Sequence, residues 1–359
     1  MNYLHNTWYV AAWDDEVKSQ CLLSRKLLDE QVVLFRDTRG TVHALRDRCP
    51  HRFAPLSLGK LVEGIVQCAY HGLRFDGSGA CVHNPHGGGT IPAAARVKRY
   101  PVIERYSAVW IWMGDPAAAD VSMLPDFSCM DSDHWFVGKR YLHVAANYLL
   151  ENDNILDLSH IEFLHPGTLG GAAVNSALAS IEQRGNTIWA YRQTVAEVMT
   201  DFLYDHMGLP RGMPVDRWFD VRWDAPANML LLAGATATGK ARNEGPETHF
   251  PHLFTPETET TTHYWFSACY PKAMGALGAE LAEKTVAGVE VPFRYEDLPM
   301  LEQQQRSMGT GDLWSHKPVL LAGDASAVRA RRVLEKMIRE ELSQRANVVA
   351  TMVSVAAAP

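Results

Sequence analysis

Two short stretches decide how this chain reads: Cys49-Pro50-His51, and then Cys68-Ala69-Tyr70-His71-Gly72. Each offers one thiolate and one imidazole from a tight loop. The C-x-H and C-x-x-H spacings let both side chains of a loop converge on one point. Residues 52–67 between them suffice for an out-and-back excursion of the chain. Two Cys and two His can hold a single tetrahedral Zn²⁺. They can also hold a two-iron, two-sulfide cluster with both thiolates on one iron and both imidazoles on the other. The mirrored loops, one Cys and one His apiece, favour the cluster. Pro50 and Gly72 supply the tight backbone that aims N–H groups at sulfide.

Working outward, the surrounding residues read as short strands and turns. Residues 31–36 are rich in Val, Leu and Phe, Asp37-Thr38-Arg39-Gly40 is a turn, and residues 41–45 are the return strand. Residues 64–68 are another short strand, and Asp76-Gly77-Ser78-Gly79 is a turn. Residues 107–113 close this unit, and Gly114-Asp115-Pro116-Ala117-Ala118-Ala119-Asp120 reads as an exit linker. The expected division is therefore residues 1–118 and 119–359. The second part mixes β hairpins with helices, expected over residues 149–164, 279–289, 295–307 and 325–346. Hairpins are expected over residues 181–195, turning at Arg184-Gly185-Asn186, and over residues 250–268, turning at Thr255-Pro256-Glu257. The sum is α+β with antiparallel strands.

The second constellation is Asn154-Ile155-Leu156-Asp157-Leu158-Ser159-His160, continuing to His165-Pro166-Gly167. Asn154, Asp157 and His160 are spaced i, i+3, i+6 and would share one helix face. His165 lies about 140° further round an ideal helix. Both imidazoles reach one metal only if the helix ends or bends, and Pro166-Gly167 provides that ending. Two His and a distant carboxylate make the facial triad of a non-haem Fe(II) oxygenase, with open positions for O₂. Asp201, Asp205, Glu290, Glu296 and Asp297 are all candidates for the carboxylate, and the residues alone do not choose among them.

Composition narrows the functional class. The net charge is -7 and no Lys/Arg block runs along the chain, which argues against nucleic acid or an anionic membrane as partner. There is no run of eighteen apolar residues and no secretory leader pattern, so a cytoplasmic protein is expected. The leftover Cys21, Cys81, Cys129 and Cys269 read as reduced thiols. His86-Gly87-Gly88-Gly89 reads as a loop, since no G-x-S-x-G elbow accompanies it.

With both metal boxes in view, the chain resembles the oxygenase component of Rieske non-haem iron oxygenases, in the vanillate O-demethylase group. The likeness covers nearly the whole chain. It runs from Asn6-Thr7-Trp8-Tyr9-Val10-Ala11-Ala12 through Cys49-Pro50-His51-Arg52, Tyr70-His71-Gly72-Leu73 and Trp110-Ile111-Trp112 to the Asp157/His160/His165 segment and Glu296-Asp297. The resemblance implies an N-terminal all-β Rieske [2Fe–2S] domain followed by a helix-grip (START/Bet v1-like) catalytic domain. It implies that Cys49, His51, Cys68 and His71 hold the cluster, and that His160, His165 and Asp297 hold mononuclear Fe(II). Asp157 would bridge an iron histidine to a neighbouring subunit's Rieske histidine in a head-to-tail homotrimer, Asn154 would stand behind the iron, and His252 would touch substrate. Electrons would come from an NADH-dependent flavin and [2Fe–2S] reductase, with O₂ as co-substrate.

The activity so implied is O-demethylation of a methoxy-substituted aromatic acid to a phenol and formaldehyde. Hydroxylation of an aryl methyl group on a sulfonate or carboxylate is the alternative. A Rieske electron carrier without oxygenase chemistry is a remote third reading.

Overall fold

The hairpin expected around Asp37-Gly40 forms as strands Glu30–Arg36 and Val42–Arg46, with Val33 opposite Leu45 and Phe35 opposite His43. Its turn is held by Asp37 Oδ1, which accepts from Arg39 N at 2.9 Å and Thr41 N at 3.0 Å, as Asp favours in turns. This computed structural model describes residues 3–356. They form two compact units that each draw on separate stretches of chain.

The first unit comprises residues 8–148 and 251–290. It begins all-β, in three small antiparallel sheets of three, four and four strands. Alternating residues of these strands send Val33, Phe35, Leu45, Val66 and Phe75 into one core, which also contains the Cys49 and Cys68 side chains. The two Cys-His loops thus hang from a packed wall. The same unit pairs strand Trp135–Val144 with Thr261–Pro271 in continuous antiparallel register, His143 facing His263. Helix Ala276–Pro292 follows.

The second unit comprises residues 3–7, 149–250 and 291–356. Its strands Leu178–Arg184, Thr187–Glu197, Val215–Asp224 and Asn228–Ala237 pair antiparallel in sequence order. The hairpin at Arg184-Gly185-Asn186 forms where expected, with Arg184 opposite Thr187. Helix Leu298–Met308 and the long helix Ala325–Ala356 complete the unit. No helix among the described residues is long and apolar enough to cross a membrane.

Three local expectations are corrected. The helix expected over residues 149–164 is broken: it runs Tyr148–Leu156, yields to a 3₁₀ turn Leu158–His160, and resumes as Ile161–Leu164. Asp157 causes the break, because its side chain accepts from Ser159 N and caps the turn instead of continuing the helix. The turn expected at Thr255-Pro256-Glu257 is strand: Glu247–Thr258 runs through it, and the chain reverses at Glu259-Thr260 before Thr261–Pro271. Pro256 sits there with its carbonyl accepting from Leu28 N at 2.8 Å. The helix expected from residue 295 starts later, at Leu298, because a wide π turn Phe293–Asp297 precedes it.

Candidate active site

The two Cys-His loops fold alike. The Cys49 carbonyl accepts from Phe53 N at 3.0 Å, and the Cys68 carbonyl accepts from Gly72 N at 3.1 Å. Each thiol is buried while His51 and His71 come toward the surface, their ring centroids 4.4 Å apart. Burial pushes the Cys49 thiol up to about 11, and the Cys68 thiol beside it adds to the shift. Burial, His51, His86 and Arg52 together hold His71 below the ordinary histidine value. His86 is a neighbour that sequence reading left in a bare loop. Its Nε2 meets the His71 carbonyl at 2.9 Å.

The second cluster lies wholly within the second unit. One ring nitrogen each of His160 and His165 and a carboxylate oxygen of Asp297 lie within 4.8 Å of one another. Asp297 Oδ1 is 3.1 Å from His165 Nε2 and 3.4 Å from His160 Nε2. Asn154 Nδ2 donates to the same oxygen at 3.1 Å and stands 3.4 Å from His160 Nε2. Burial alone would raise the Asp297 carboxyl, but His160 and His165 outweigh it and draw it down to about 2. Burial would likewise lower His165, yet Asp297 and Glu296 prevail and raise it.

Both imidazoles are fixed from behind. His160 Nδ1 donates to the Asp157 carbonyl at 2.8 Å, so its Nε2 faces Asp297. His165 Nδ1 contacts Glu296 Oε2, and Thr168 Oγ1 donates to that oxygen at 3.0 Å. The wide turn Phe293–Asp297 lets two successive carboxylates reach opposite nitrogens of one ring. Such π turns recur at functional sites. Helix Ala325–Ala356 anchors the segment that leads to His160 and His165. Arg331 clamps Asp153, with Nε to Oδ1 at 2.9 Å and Nη2 to Oδ2 at 2.6 Å. Ser326 Oγ takes the otherwise orphaned Leu156 carbonyl at 2.8 Å.

Family comparison agrees along the chain. Residues 7–101 match the Rieske [2Fe-2S] domain, and residues 144–340 match the vanillate O-demethylase oxygenase C-terminal domain. The chain belongs to the Rieske oxygenases of the vanillate O-demethylase type. This Rieske oxygenase is 39% identical over 351 residues to the iron-sulfur subunit of the toluene-4-sulfonate monooxygenase system of Comamonas testosteroni, covering 94% of this chain and 98% of the relative. It is 38% identical to the oxygenase component of dicamba O-demethylase from Stenotrophomonas maltophilia, again over 94% and 98%. Its fold matches the crystal structure of dicamba monooxygenase bound to 3,6-dichlorosalicylic acid, with a TM-score of 0.87 at 35% identity, covering 95% of this chain and 99% of that one.

The cofactors of the Rieske oxygenase are a [2Fe–2S] cluster and mononuclear iron. The side chains present suit both. Two buried thiols in contact resist becoming two thiolates, and bound metal reverses that preference. A carboxylate oxygen between two Nε2 atoms, each ring held by its other nitrogen, is a donor set for a divalent metal with open positions.

Asp157 stands apart from the donor set. Its Oδ1 accepts from Ser159 N at 3.0 Å and Arg192 Nη2 at 3.2 Å. Its Oδ2 carries no hydrogen bond among the described residues, and a Cβ at Gly323 would lie 2.4 Å from it. His252 belongs to the first unit. It is 1% exposed, and its Nδ1 meets Tyr264 OH at 2.6 Å. Glu151, which the sequence reading did not single out, is buried one helical turn before Asn154. Burial pushes its carboxyl up to about 8, with Asp297 and Glu302 adding repulsion.

Proposed function

We propose that this Rieske oxygenase is the terminal oxygenase of a multicomponent system that O-demethylates a methoxy-substituted aromatic acid. The balance is ArOCH₃ + O₂ + 2H⁺ + 2e⁻ → ArOH + HCHO + H₂O. The observation that carries it is the convergence of His160, His165 and Asp297 Oδ1 in a chain that also folds two mirrored Cys-His loops. In this reading Cys49, His51, Cys68 and His71 hold the cluster, and His160, His165 and Asp297 hold the iron. When bound, the iron supplies O₂ activation for insertion of one oxygen into a methyl C–H bond. Asn154 keeps Asp297 Oδ1 in place, the Asp157 carbonyl fixes the His160 tautomer, and Glu296 fixes that of His165.

Electrons come from an NADH-dependent flavin and [2Fe–2S] reductase, and they leave the cluster where His51 and His71 reach the surface. Phe53 and Tyr70 beside them are 61% and 65% exposed, an apolar rim suited to a docking protein. We assign that docking to a neighbouring subunit of a cytoplasmic homotrimer, with Asp157 Oδ2 receiving the partner's His71. His252, held by Tyr264, would touch the aromatic substrate.

Hydroxylation of an aryl methyl group is the second reading, favoured by the toluene-4-sulfonate relative. Formaldehyde release separates the two. Purified enzyme, a surrogate reductase, NADH and O₂ are incubated with methoxy- and methyl-substituted aromatic acids. Formaldehyde equal to the demethylated phenol supports the demethylase. A hydroxymethyl product without formaldehyde moves the enzyme to the other branch.

A further inference from the structure

Asp157 meets His160 through its main chain: the Asp157 carbonyl, not the carboxylate, accepts from His160 Nδ1 at 2.8 Å. The carboxylate is left for other contacts. Oδ1 accepts from Ser159 N at 3.0 Å and from Arg192 Nη2 at 3.2 Å, while Oδ2 carries no hydrogen bond among the described residues. The Arg192–Asp157 pair is partly solvated, its side chains 14% and 20% exposed, so its Coulomb energy is modest. What the pair supplies is direction. Arg192 Nη1 donates to the Val174 carbonyl at 3.0 Å. A guanidinium is a flat, rigid fork, so fixing one arm aims the other. The strand beneath, Thr187–Glu197, is paired on both sides, with Arg192 opposite Ala179 and opposite Phe219. Arg192 is therefore a stationary donor.

Gly323 bounds the same carboxylate from the 3₁₀ turn Ala322–Asp324, which leads into the long helix. A Cβ at Gly323 would lie 2.4 Å from Asp157 Oδ2, 2.9 Å from its Cγ and 3.0 Å from its Oδ1. Gly323 is not among the glycines of positive φ, so the turn itself does not demand glycine. The carboxylate does. The turn is also held in place: Asp324 Oδ2 accepts from Leu321 N at 2.6 Å, and Ser326 Oγ donates to the Leu156 carbonyl at 2.8 Å. Any side chain at position 323 thus displaces the end of Asp157 rather than the backbone.

We infer that Arg192 and Gly323 are positioning residues for electron transfer: Arg192 holds Oδ1, Gly323 leaves the carboxylate its space, and together they present Oδ2 to the N–H of the partner's His71. This rests on the relay proposed above and adds what orients its carboxylate. Ser159 N alone fixes one oxygen but not the plane of the group. A carboxylate without the seat turns about its last bond, and the hydrogen bond between subunits is then made only part of the time.

The test is the rate at which the reduced cluster regains its visible absorbance when holoenzyme loaded with both metal centres is mixed with O₂ in stopped flow. 4-Hydroxy-3-methoxybenzoate and 4-methylbenzenesulfonate are the probes, one for each proposed chemistry. His160→Ala, without its iron site, gives the background of direct cluster oxidation. Arg192→Gln and Gly323→Ala should each slow the iron-dependent phase roughly ten- to hundredfold, the usual effect of losing an outer partner. Iron content, melting temperature and the Kd of the probes should stay at wild-type values. Arg192→Lys, which keeps the charge but not the fork, should recover part of the rate. Wild-type rates in Arg192→Gln and Gly323→Ala beside a slow Asp157→Asn overturn the seat and leave the relay standing. A wild-type rate in Asp157→Asn removes the relay, and the seat with it. Iron lost in step with the rate makes Arg192 a brace of the ligand segment and also overturns the assignment.

Discussion

His165 is gripped at both nitrogens, by Asp297 at Nε2 and by Glu296 at Nδ1. Both histidines were legible from H-x₄-H and the Pro-Gly that follows. The carboxylate was not, because its contact spans 132 positions of chain and five acidic residues fitted equally. That Glu296 and Asp297 both serve one ring needed the π turn, which no local pattern announced. Glu296→Gln should therefore weaken iron binding roughly ten- to hundredfold, the usual worth of such an outer partner. Iron retained after dialysis against a chelator measures it, with cluster absorbance unchanged. Full retention would mean the ring is held by Asp297 alone. A second residue prediction concerns His263, which burial pushes down to about 4, with Arg25 and His143 adding. Its Nδ1 accepts from Tyr141 OH at 2.7 Å and its Nε2 donates to the Lys26 carbonyl at 3.0 Å, so neither nitrogen has room for a further proton. The unfolded chain takes up that proton near 6.5 while the folded one does not, so stability falls as pH drops from about 6.5 to about 4. The loss is about 3 kcal/mol. His263→Gln should flatten this part of the acid limb in calorimetric melts, and parallel curves would reject the assignment.

At the scale of elements, the ligand segment is a broken helix held by its surroundings. Sequence periodicity favoured one continuous helix because Ile155, Leu156, Leu158 and Ile161 keep a helical apolar spacing. The break at Asp157 was readable only as an Asp-x-Ser cap, a signal that competes with that spacing. Beyond His165 the chain turns sharply, and Arg217 Nη2 donates to the Leu169 carbonyl at 2.9 Å from its buried pair with Glu197. At Gly170 a Cβ would lie 2.3 Å from the Ile161 carbonyl oxygen and 2.7 Å from that of His165. Those are backbone atoms of the ligand segment itself, so relief must move His165. Gly170→Ala should cost about 1–3 kcal/mol of stability, the usual range for overpacking, and lower the iron-to-cluster ratio on metal analysis. A normal ratio in a destabilised protein would separate packing from ligand placement.

For the molecule as a whole, the order of motifs told which chemistry comes first but not how the chain is shared between units. Residues 251–290 return to the unit that holds the cluster loops, through pairings such as Tyr141 with Trp265 that hydrophobic pattern cannot assign across such a separation. The proposed relay adds a level that no single chain contains. If Asp157 carries electrons from a neighbour's cluster, Asp157→Asn should retain both metals and lose nearly all coupled turnover. Mixing subunits tests the relay more sharply. His71→Ala chains have an intact iron site and no working cluster, and His160→Ala chains have the reverse. Each variant alone should be inactive. In a head-to-tail ring assembled at random from equal parts, half the subunits carry an iron site, and half of those follow a neighbour with a cluster. The randomly assembled population should thus recover about a quarter of wild-type turnover, and each trimer containing both variants about a third, because a heterologous ring gives every subunit one donor and one acceptor face. Recovery near that level requires transfer between chains. Inactivity in a verified mixed trimer requires both centres to sit in one chain and removes Asp157 from the relay.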